Sequence, residues 1–435
     1  MDVPGASCSY STYDEKEVVA MTERTTCVVI GGGPAGMVAG LLLARAGVEV
    51  TVLEKHGDFL RDFRGDTVHP STQELLDELG LGERFAELPQ SRLEEIAFPI
   101  DDEQSLVVGD LRRLRTAHPY IAMVPQWDFL NLLAEAGNAE STFTLRMHTE
   151  VTELIRAGGR VTGVRYRTAE GETGELSAEL TIACDGRWSL ARREANLRPK
   201  ELPVPIDAWW FRLPRRADET DSSLRPRMRD SRFAIVIPRE GYFQIAWIAR
   251  KGRDPQLRAA GIERFREDLV ELFPQFADRA GTLESMDEIK HLDVRLNRLN
   301  RWHVDGLLCI GDAAHAMSPI GGVGINLAVQ DAVAAATLLA EPLRHGRVGP
   351  RQLARVRGRR LLPTILVQTL QRTLHRVVVR PVVEGRRNGP PKPMVRLMWA
   401  VPKATFLPAY LVGIGLRPEH APAFARRLSR PARGS

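Results

Sequence analysis

The sequence predicts an α/β fold: a Rossmann-like dinucleotide-binding domain, an inserted β-sheet domain and a C-terminal helical region. Three patterns predict it. A glycine turn follows an apolar strand near the N-terminus, aromatic and β-branched runs replace this pattern after residue 200, and helical periodicity returns after residue 324. We expect a disordered extension over 1–20, the dinucleotide-binding domain over 21–200 and 296–345, the inserted sheet over 201–295, and the helical region and tail over 346–435.

A strand–turn–helix–strand unit opens the first domain. Cys27–Ile30 is typical of a short buried strand, a helix is predicted from Pro34, and Val50–Leu53 is typical of a second strand. Two strands joined through a helix in this way pair in parallel. The unit therefore predicts a parallel sheet at the start of the chain.

The turn between that strand and helix carries the spacing of a dinucleotide site. Glycines at positions 31, 33 and 36 permit a tight turn and let a pyrophosphate approach the free N–H groups of the helix. Glu54 ends the second strand, where a carboxylate binds ribose hydroxyls. The residues assigned to this site are Gly31, Gly33, Ala35, Gly36, Glu54 and Lys55. The pattern does not separate NAD from FAD.

Further elements follow from periodicity and turn residues. We predict antiparallel strands within 145–183, with a turn at Gly158 and Gly159. The predicted helices are Gln73–Leu88, Trp127–Ala136, Ile325–Leu339 and a segment over 361–380 that stops at Pro381.

The inserted sheet supplies the candidate substrate pocket. Alternation places Phe233, Ile235 and Ile237 on one face of a strand, and Tyr242 and Gln244 on one face of the next. Either face could line a pocket or pack on helices, and the pattern leaves this open. Arg239 follows a proline near a turn, so we expect it to be solvated.

Composition limits the remaining classes of function. Net charge is +5, and no basic run is interleaved with aromatic residues, so we expect no nucleic-acid partner. Three of the four cysteines, at 27, 184 and 309, lie in apolar strand-like runs, and no His or Cys spacing indicates a metal site. No apolar run reaches the ~18 residues that span a bilayer. A reducing cytoplasm fits these observations.

A second cofactor segment lies far downstream. Leu307–Ile310 is typical of a strand, Gly311 and Asp312 follow it, and a glycine-rich loop runs from Pro319 to Asn326. The run over 307–332 resembles the flavin-binding signature of the p-hydroxybenzoate hydroxylase family of FAD monooxygenases. The segment 183–192, which contains Asp185 and Gly186, resembles that family's Asp-Gly motif between FAD and NAD(P)H. All three motifs occur in the family order.

The resemblance implies roles for individual residues. Asp312, beside Gly311, would meet the ribityl chain of FAD, and the loop would wrap the isoalloxazine edge. A helix opening at Ile325 and Asn326 would stabilise negative charge on the flavin. The implied catalytic residues are Pro319, Gly321 and Gly322. The implied cofactor residues beyond the first turn are Arg64, Gln126, Asp185, Gly186, Gly311, Asp312, Pro319, Gly324, Ile325 and Asn326. Arg45 lies at a position often near the adenine.

The resemblance also implies a reaction. FAD is reduced by NADH or NADPH and reacts with O2 to give a C4a-hydroperoxide, which hydroxylates or epoxidises an electron-rich aromatic small molecule. The sequence contains no second Gly-x-Gly-x-x-Gly turn, so the nicotinamide would visit the flavin transiently. Few polar residues fall on the inserted strands, which favours a bulky substrate.

The same scaffold could serve a different activity. A quinone-biosynthesis hydroxylase would lie on a membrane, for which Met398–Val412 is a candidate, although we expect this segment to cap the core. The loop reads Ile-Gly-Gly-Val-Gly over 320–324, unlike the Ala-Gly-Gln-Gly of that subgroup. A flavin halogenase would need a Trp-x-Trp-x-Ile-Pro motif, which the sequence does not match. The scaffold could also belong to a non-oxygenating reductase or to a non-catalytic flavin-binding module.

Overall fold

The structure, a computed structural model, describes residues 23–60, 67–99, 105–219 and 224–427. The predicted disordered extension over 1–20 and Arg64 lie outside these residues. Up to residue 202 strands and helices alternate. In chain order they are β1 (Glu23–Ile30), α1 (Pro34–Arg45), β2 (Val50–Leu53), β3 (Thr67–Val68), α2 (Pro70–Glu78), α3 (Gly82–Ala86), β4 (Ser91–Leu93), β5 (Glu95–Pro99), β6 (Ser105–Asp110), β7 (Ile121–Met123), α4 (Gln126–Asn138), β8 (Phe143–Arg146), β9 (Thr149–Ala157), β10 (Arg160–Thr168), β11 (Thr173–Ala183), α5 (Leu190–Glu194) and β12 (Pro199–Leu202).

The second half contains a further group of strands and then mainly helices. In chain order these are β13 (Ile206–Pro214), β14 (Arg225–Arg229), β15 (Arg232–Pro238), β16 (Tyr242–Arg250), α6 (Asp254–Leu272), β17 (Lys290–Leu292), β18 (Leu296–Leu299), β19 (His303–Val304), β20 (Leu307–Cys309), α7 (Gly324–His345), α8 (Pro350–Leu374), a π-helical turn (His375–Val379), α9 (Arg380–Val383), α10 (Lys392–Ala400) and α11 (Phe406–Gly413). Among the described residues, every helix is too short or too polar to cross a bilayer.

The main sheet is of the Rossmann type. Its strands run in the order β19-β20-β11-β1-β2-β8, and β1 pairs in parallel with both β2 and β11. β20 is parallel to β11, which places the downstream cofactor segment beside the first one. The carboxyl ends of β1, β2, β11 and β20 thus meet at one edge, where ligands bind in open α/β sheets. Helices α1 and α7 pack together against this sheet.

The second main sheet runs in the order β14-β15-β16-β13-β17, with antiparallel pairing throughout. One of its faces packs on α6, a helix that the strand pattern did not predict. Phe265 and Leu269 of α6 join the aromatic core built by Trp209, Phe211 and Trp247. The other face therefore points away from α6.

Two predicted helix boundaries are wrong. The helix expected over Gln73–Leu88 is two helices, because Gly80 between them has a φ of +72° that ends the first. Pro381 does not stop the C-terminal helix. It lies in the first turn of α9, just after the π-helical turn, where a missing N–H is tolerated.

The predicted hairpin turn at Gly158 and Gly159 is present. Both residues have positive φ, +57° and +80°, and the turn joins the antiparallel strands β9 and β10. These strands extend the main sheet from β11, so they are not among the strands whose carboxyl ends form the cofactor edge.

Candidate active site

The first glycine turn is packed tightly on one side and open on the other. A side chain at Gly31, where φ is +99°, would place its Cβ 2.7 Å from the carbonyl oxygen of Cys184, and one at Gly36 would place it 1.9 Å from the carbonyl oxygen of Gly31. A Cβ at Gly33 would meet no described atom within 4 Å. The open side lies at the N-terminus of α1, so the turn fits a pyrophosphate there.

Glu54 closes this turn from the end of β2. Its Oε2 accepts a hydrogen bond of 2.8 Å from the N–H of Gly32, and its Oε1 accepts one of 3.1 Å from the N–H of His56. The carboxylate is buried at the edge of the sheet. This placement agrees with a ribose-binding role, which remains a prediction.

An open cleft continues past Glu54. It has a volume of about 420 Å³ and is lined by Gly57, Asp58, Phe59, Leu60, Trp127, Asn131, Leu145 and Met147. Lys55 is exposed beside it, and Gln126 is the first residue of α4, next to the lining residue Trp127. The walls are largely apolar and the cleft adjoins the ribose position, so it fits an adenine ring.

The two cofactor segments meet at Gly311. This residue follows β20 with a φ of +58°, and a Cβ there would lie 3.2 Å from that of Ala35 in α1 and 3.3 Å from that of Ala328 in α7. Only a glycine allows the chain to pass so closely between the two helices. Asp312, the next residue, is partly exposed.

The Asp-Gly motif is tied to this second segment. Asp185 follows β11 and its Oδ2 accepts a 3.1 Å hydrogen bond from the N–H of Ala191, while burial raises the pKa of its carboxyl. Gly186 has a φ of +80°, and a Cβ there would meet no described atom within 4 Å. Arg187 Nη2 lies 3.6 Å from Asp312 Oδ2. The buried Arg192 donates to the carbonyl oxygens of Arg187 and Ala313, at 2.6 and 3.2 Å.

A buried carboxylate in α7, which the sequence analysis missed, supports the turn at Gly311. Asp331 accepts from the N–H of Gly311 at 3.1 Å, contacts His315 Nε2 at 2.6 Å and accepts from Arg360 Nε at 3.1 Å. Burial alone raises the pKa of Asp331, but attraction to His315 and Arg360 outweighs it and leaves the pKa below the usual value. The one acidic residue within the mostly apolar stretch 325–340 of α7 was the available signal.

The downstream glycine loop is held from two sides. On one side, the carbonyl oxygen of Gly322 accepts from Thr67 Oγ1 at 2.8 Å and lies 3.1 Å from His69 Nε2. On the other, Gln371 Nε2 donates to the carbonyl oxygens of Ser318 and Ile320, at 2.9 Å each. The loop between Pro319 and Gly324 is therefore fixed in position before any ligand arrives.

Two buried histidines also help to hold this loop in position. His375, in the π-helical turn, pairs with Ser318 Oγ at 2.9 Å, and His69 reaches from Gly322 to the carbonyl oxygen of Val412 in α11, at 2.7 Å. Burial lowers the pKa of each imidazole to about 4, in the case of His69 despite its two carbonyl neighbours. Each ring is therefore neutral at pH 7. The π-helical turn that carries His375 is of a kind that is frequent at functional sites.

The start of α7 is anchored through Asn326. Its Oδ1 accepts from Ser71 Oγ at 3.0 Å and from Thr72 Oγ1 at 2.6 Å, both in the first turn of α2. The side chain thus joins two helices. The predicted contact of Asn326 with flavin would therefore have to come from its backbone. Gly324, the first residue of α7, would place a Cβ in open space, whereas Ile325 is buried.

The sheet face that carries Phe233, Ile235 and Ile237, whose role the sequence left undecided, points toward the glycine loop. Phe233 pairs with Ile248, Ile235 with Ala246 and Ile237 with Gln244, so these residues share one face. Tyr242 lies at the start of β16 on the same face. Phe233 and Ile235 pack in a cluster that includes Ile320 of the loop, and Ile237 packs near Tyr410 of α11. Their contact with a substrate remains a prediction.

Two arginines differ from expectation. Arg239 is buried, with 4% of its surface exposed, because its Nε and Nη2 donate to Gln244 Oε1 at 3.1 and 3.0 Å. The expected solvated role is wrong. Arg45 is not among the residues that line the cleft proposed for adenine. It ends α1, opposite the glycine turn, and donates to Glu140 and to the carbonyl oxygens of Leu79 and Ala425.

The described residues contain no cluster of three or more His, Cys, Asp or Glu side chains placed to hold a metal ion. The thiols of Cys27 and Cys309 are buried in the main sheet, Cys184 directly follows β11, and burial raises the pKa of each. These thiols therefore behave as small apolar groups.

The chain matches the family described as "FAD binding domain" over residues 24–361. It is 33% identical to the 6-methylpretetramide 4-monooxygenase of Streptomyces rimosus over 345 residues, which cover 78% of this chain and 80% of that protein. It is 28% identical to the rifampicin monooxygenase of Streptomyces venezuelae over 311 residues, 70% of this chain and 62% of that protein.

Solved structures show the same fold. The OxyS anhydrotetracycline hydroxylase from Streptomyces rimosus superposes with a TM-score of 0.71 at 24% identity, covering 91% of this chain and 77% of that one. PqsL, a probable FAD-dependent monooxygenase from Pseudomonas aeruginosa, gives a TM-score of 0.68 at 19% identity, covering 84% and 98%.

The relatives confirm the resemblance found in the three motifs. The two curated relatives are named as monooxygenases, and a quinone hydroxylase or a reductase is not favoured. FAD is the cofactor, and NAD(P)H and O2 are the co-substrates typical of the family. The chain therefore belongs to the FAD-binding-domain family and is a class A FAD-dependent aromatic monooxygenase.

Proposed function

We propose that this monooxygenase hydroxylates a bulky, largely apolar aromatic compound held between the sheet face opposite α6 and the loop from Pro319 to Gly324. The observation that carries the proposal is the packing of Phe233 and Ile235 in one cluster with Ile320. A flat apolar ring system that replaces part of this contact would lie directly against the loop that the family motif assigns to flavin.

The names of the relatives support a large substrate. The curated relative of Streptomyces rimosus is named for 6-methylpretetramide, and a further one, 31% identical over 322 residues, is named for 12-dehydrotetracycline and anhydrotetracycline. Phe233 and Ile248 on this face are already buried in a cluster with Val382, so a large ring system would have to displace part of that packing.

The chain offers a complete set of groups for FAD. Gly31, Gly33 and Gly36 would receive the pyrophosphate at α1, Glu54 the ribose and Asp312 the ribityl chain. Bound FAD would supply the redox chemistry, namely acceptance of a hydride from NAD(P)H and activation of O2. The start of α7 would place backbone N–H groups at the pyrimidine end of the ring and stabilise negative charge there.

The protein's own contribution is position and exclusion of water. The hydrogen bonds to the carbonyl oxygens of Gly322 and Ile320 hold the loop rigidly. Pro319, Gly321 and Gly322 would therefore keep the reacting edge of the flavin at a fixed distance from the substrate. At the polar end of the sheet face, Arg239 and Gln244 would orient an oxygen substituent of the substrate. Tyr242 would lie at the outer end of the same face.

A comparison of aromatic compounds tests this proposal. Class A enzymes would consume NADH or NADPH faster when their substrate is bound, so the purified holoprotein should respond to polycyclic phenols and not to hydroxybenzoates of one ring. Hydroxylated product must form in step with NAD(P)H consumption. An equal or stronger response to single-ring benzoates would contradict the assignment of a bulky substrate.

A further inference from the structure

Half of the large apolar side chains that are exposed in the described chain are concentrated in one short segment. Of the others, Leu362 and Leu366 lie one turn apart on α8, and Leu60, Trp188 and Val377 lie apart from one another. The five side chains, each between 42% and 60% exposed, are Leu397, Trp399, Val401, Phe406 and Leu407. They lie on α10, on α11 and on the turn between them, and we call this set the hairpin patch.

The hairpin formed by α10 and α11 is anchored on its inner side, which fixes the outward direction of the patch. Ala409 is fully buried with Leu111 and Ile237, and Val395 is also buried. A Cβ at Gly413 would lie 2.9 Å from the Leu111 side chain. The expectation that this segment caps the core therefore holds for its inner side only. The outer side remains exposed in a well-anchored element.

The charges of this region have one sign. From residue 385 to residue 418 the sequence contains arginine and lysine but neither aspartate nor glutamate. Lys392, Arg396 and Lys403 are exposed within the hairpin itself. Basic side chains next to exposed tryptophan and phenylalanine are typical of helices that lie in the interface of a bilayer.

We propose that the hairpin patch docks this enzyme on the surface of an anionic membrane. The apolar side chains would enter the boundary between headgroups and acyl chains, and the basic side chains would contact anionic headgroups. The short helices α10 and α11 suit a position in the plane of the interface.

Charge also argues against a second copy of the chain as the occupant. A twofold dimer would place the same patch against itself, and would bring Lys392, Arg396 and Lys403 of both copies together. The segment offers no carboxylate to compensate them. A surface rich in anionic lipid compensates all of them at once.

The position of the hairpin gives this docking a use. Its inner side packs with Ile237 at the sheet face opposite α6, so a membrane-bound enzyme would present its substrate region next to the lipid. This use depends on the proposed function, whereas vesicle binding does not. An apolar substrate dissolved in the bilayer would then reach the sheet face over a short path.

Co-sedimentation of the full-length holoprotein with vesicles tests the proposal. The protein should pellet with vesicles of phosphatidylcholine mixed with phosphatidylglycerol, less with phosphatidylcholine alone, and less as salt rises. The triple variant Leu397→Ser, Trp399→Ser, Leu407→Ser should lower partitioning at least about tenfold. The variant Lys392→Glu, Arg396→Glu should abolish only the preference for anionic vesicles.

A matched control separates the patch from apolar exposure in general. Leu362 of α8 is 46% exposed, so Leu362→Ser should bind vesicles like the wild type. Circular dichroism and flavin content must show that each variant is folded. Wild-type protein that stays in solution with both vesicles would overturn the proposal, as would unchanged binding of the triple variant. A dimer that the triple variant dissociates, without vesicle binding, would assign the patch to a second copy.

Discussion

The guanidinium of Arg187 lies 3.6 Å from the carboxylate of Asp312. This contact joins the Asp-Gly motif after β11 to the Gly-Asp motif after β20, and both strands end at the same sheet edge. Arg192 reinforces the link through the carbonyl oxygen of Ala313. Two motifs far apart in sequence thus form one wall of the proposed cofactor site.

Removal of the Asp312 carboxylate should weaken flavin binding. Loss of one charge-assisted hydrogen bond costs about 1.5–3 kcal/mol, so Asp312→Ala should raise the dissociation constant for FAD about 10- to 100-fold. Fluorescence titration of the apoprotein measures this. Asp278→Ala, which removes an exposed carboxylate of the inserted region, is the control. Equal FAD affinity in both variants would remove Asp312 from the site.

Arg360 should matter far more for stability than its neighbour Arg359. Both contact Glu419, but Arg360 is buried, with 1% of its side chain exposed, and it also pairs with Asp331. Arg360→Met removes a buried cation shared by Asp331 and Glu419, which keep only His315 and Arg359 as side-chain partners, and should lower the free energy of unfolding by about 3 kcal/mol. Arg359→Met, at a half-exposed site, should cost about 1 kcal/mol or less. Urea denaturation distinguishes these values, and similar losses would contradict the burial argument.

Acidification should destabilise the protein partly through His375. Burial lowers the pKa of this imidazole to about 4, below the value of ~6.5 in the unfolded chain. The unfolded state therefore binds the proton more readily, and stability is lost as pH falls from about 6.5 to about 4, by at most about 3 kcal/mol from this group. His375→Gln should flatten the pH dependence of unfolding in that window. An unchanged slope relative to wild type would show that the ring titrates normally.

Gly322→Ala should disturb the flavin loop. The residue has a φ of +65°, and a Cβ there would lie 2.6 Å from Thr67 Oγ1. The backbone strain costs about 1–2 kcal/mol, and relief of the clash would move the loop and lower kcat. Gly358→Ala, in open space on α8, should instead stabilise the helix by about 0.5–1 kcal/mol without changing turnover. A normal kcat in Gly322→Ala would show that turnover does not require this loop to be rigid.

Neighbouring residues of β15 should separate substrate binding from packing. Ile235→Trp fills the sheet face opposite α6 and should raise KM for the aromatic substrate at least about tenfold, with FAD content unchanged. Val236 points to the other face and packs in the core with α6. Val236→Ala should lower stability by about 1–3 kcal/mol and leave KM unchanged. A raised KM in Val236→Ala with an unchanged KM in Ile235→Trp would instead assign the substrate to the face that carries Val236.

Local patterns predicted the Rossmann unit well, because its signals are short-range. The strand before Gly31, the glycine spacing and Glu54 at the end of β2 all lie within one supersecondary unit. The division of the chain into domains and the cofactor roles of single residues remain proposals. The error at Gly80 arose because one left-handed backbone conformation outweighed helical periodicity, and the error at Pro381 because a proline is tolerated in the first turn of a helix.

Long-range partners could not be predicted from the sequence. Arg239 was expected in solvent because it follows a proline, yet the adjacent strand places Gln244 beside it. Asp331, Arg360 and Glu419 form a buried charge network across three segments, and no spacing reveals such pairing. The unexpected helix α6 decided which sheet face packs on it and which face points toward the glycine loop. Without its position, alternation alone gave two equivalent faces.

The central claim is that the enzyme inserts oxygen from O2 into an aromatic ring at the sheet face beside Ile320. Turnover under ¹⁸O2 with NAD(P)H and a responsive polycyclic phenol, followed by mass spectrometry, tests it most directly. We expect one ¹⁸O atom in each product molecule, and slower formation of this product at limiting substrate in Ile235→Trp despite full flavin content. Product oxygen derived from water, or NAD(P)H consumption that yields only hydrogen peroxide with every aromatic compound, would contradict it.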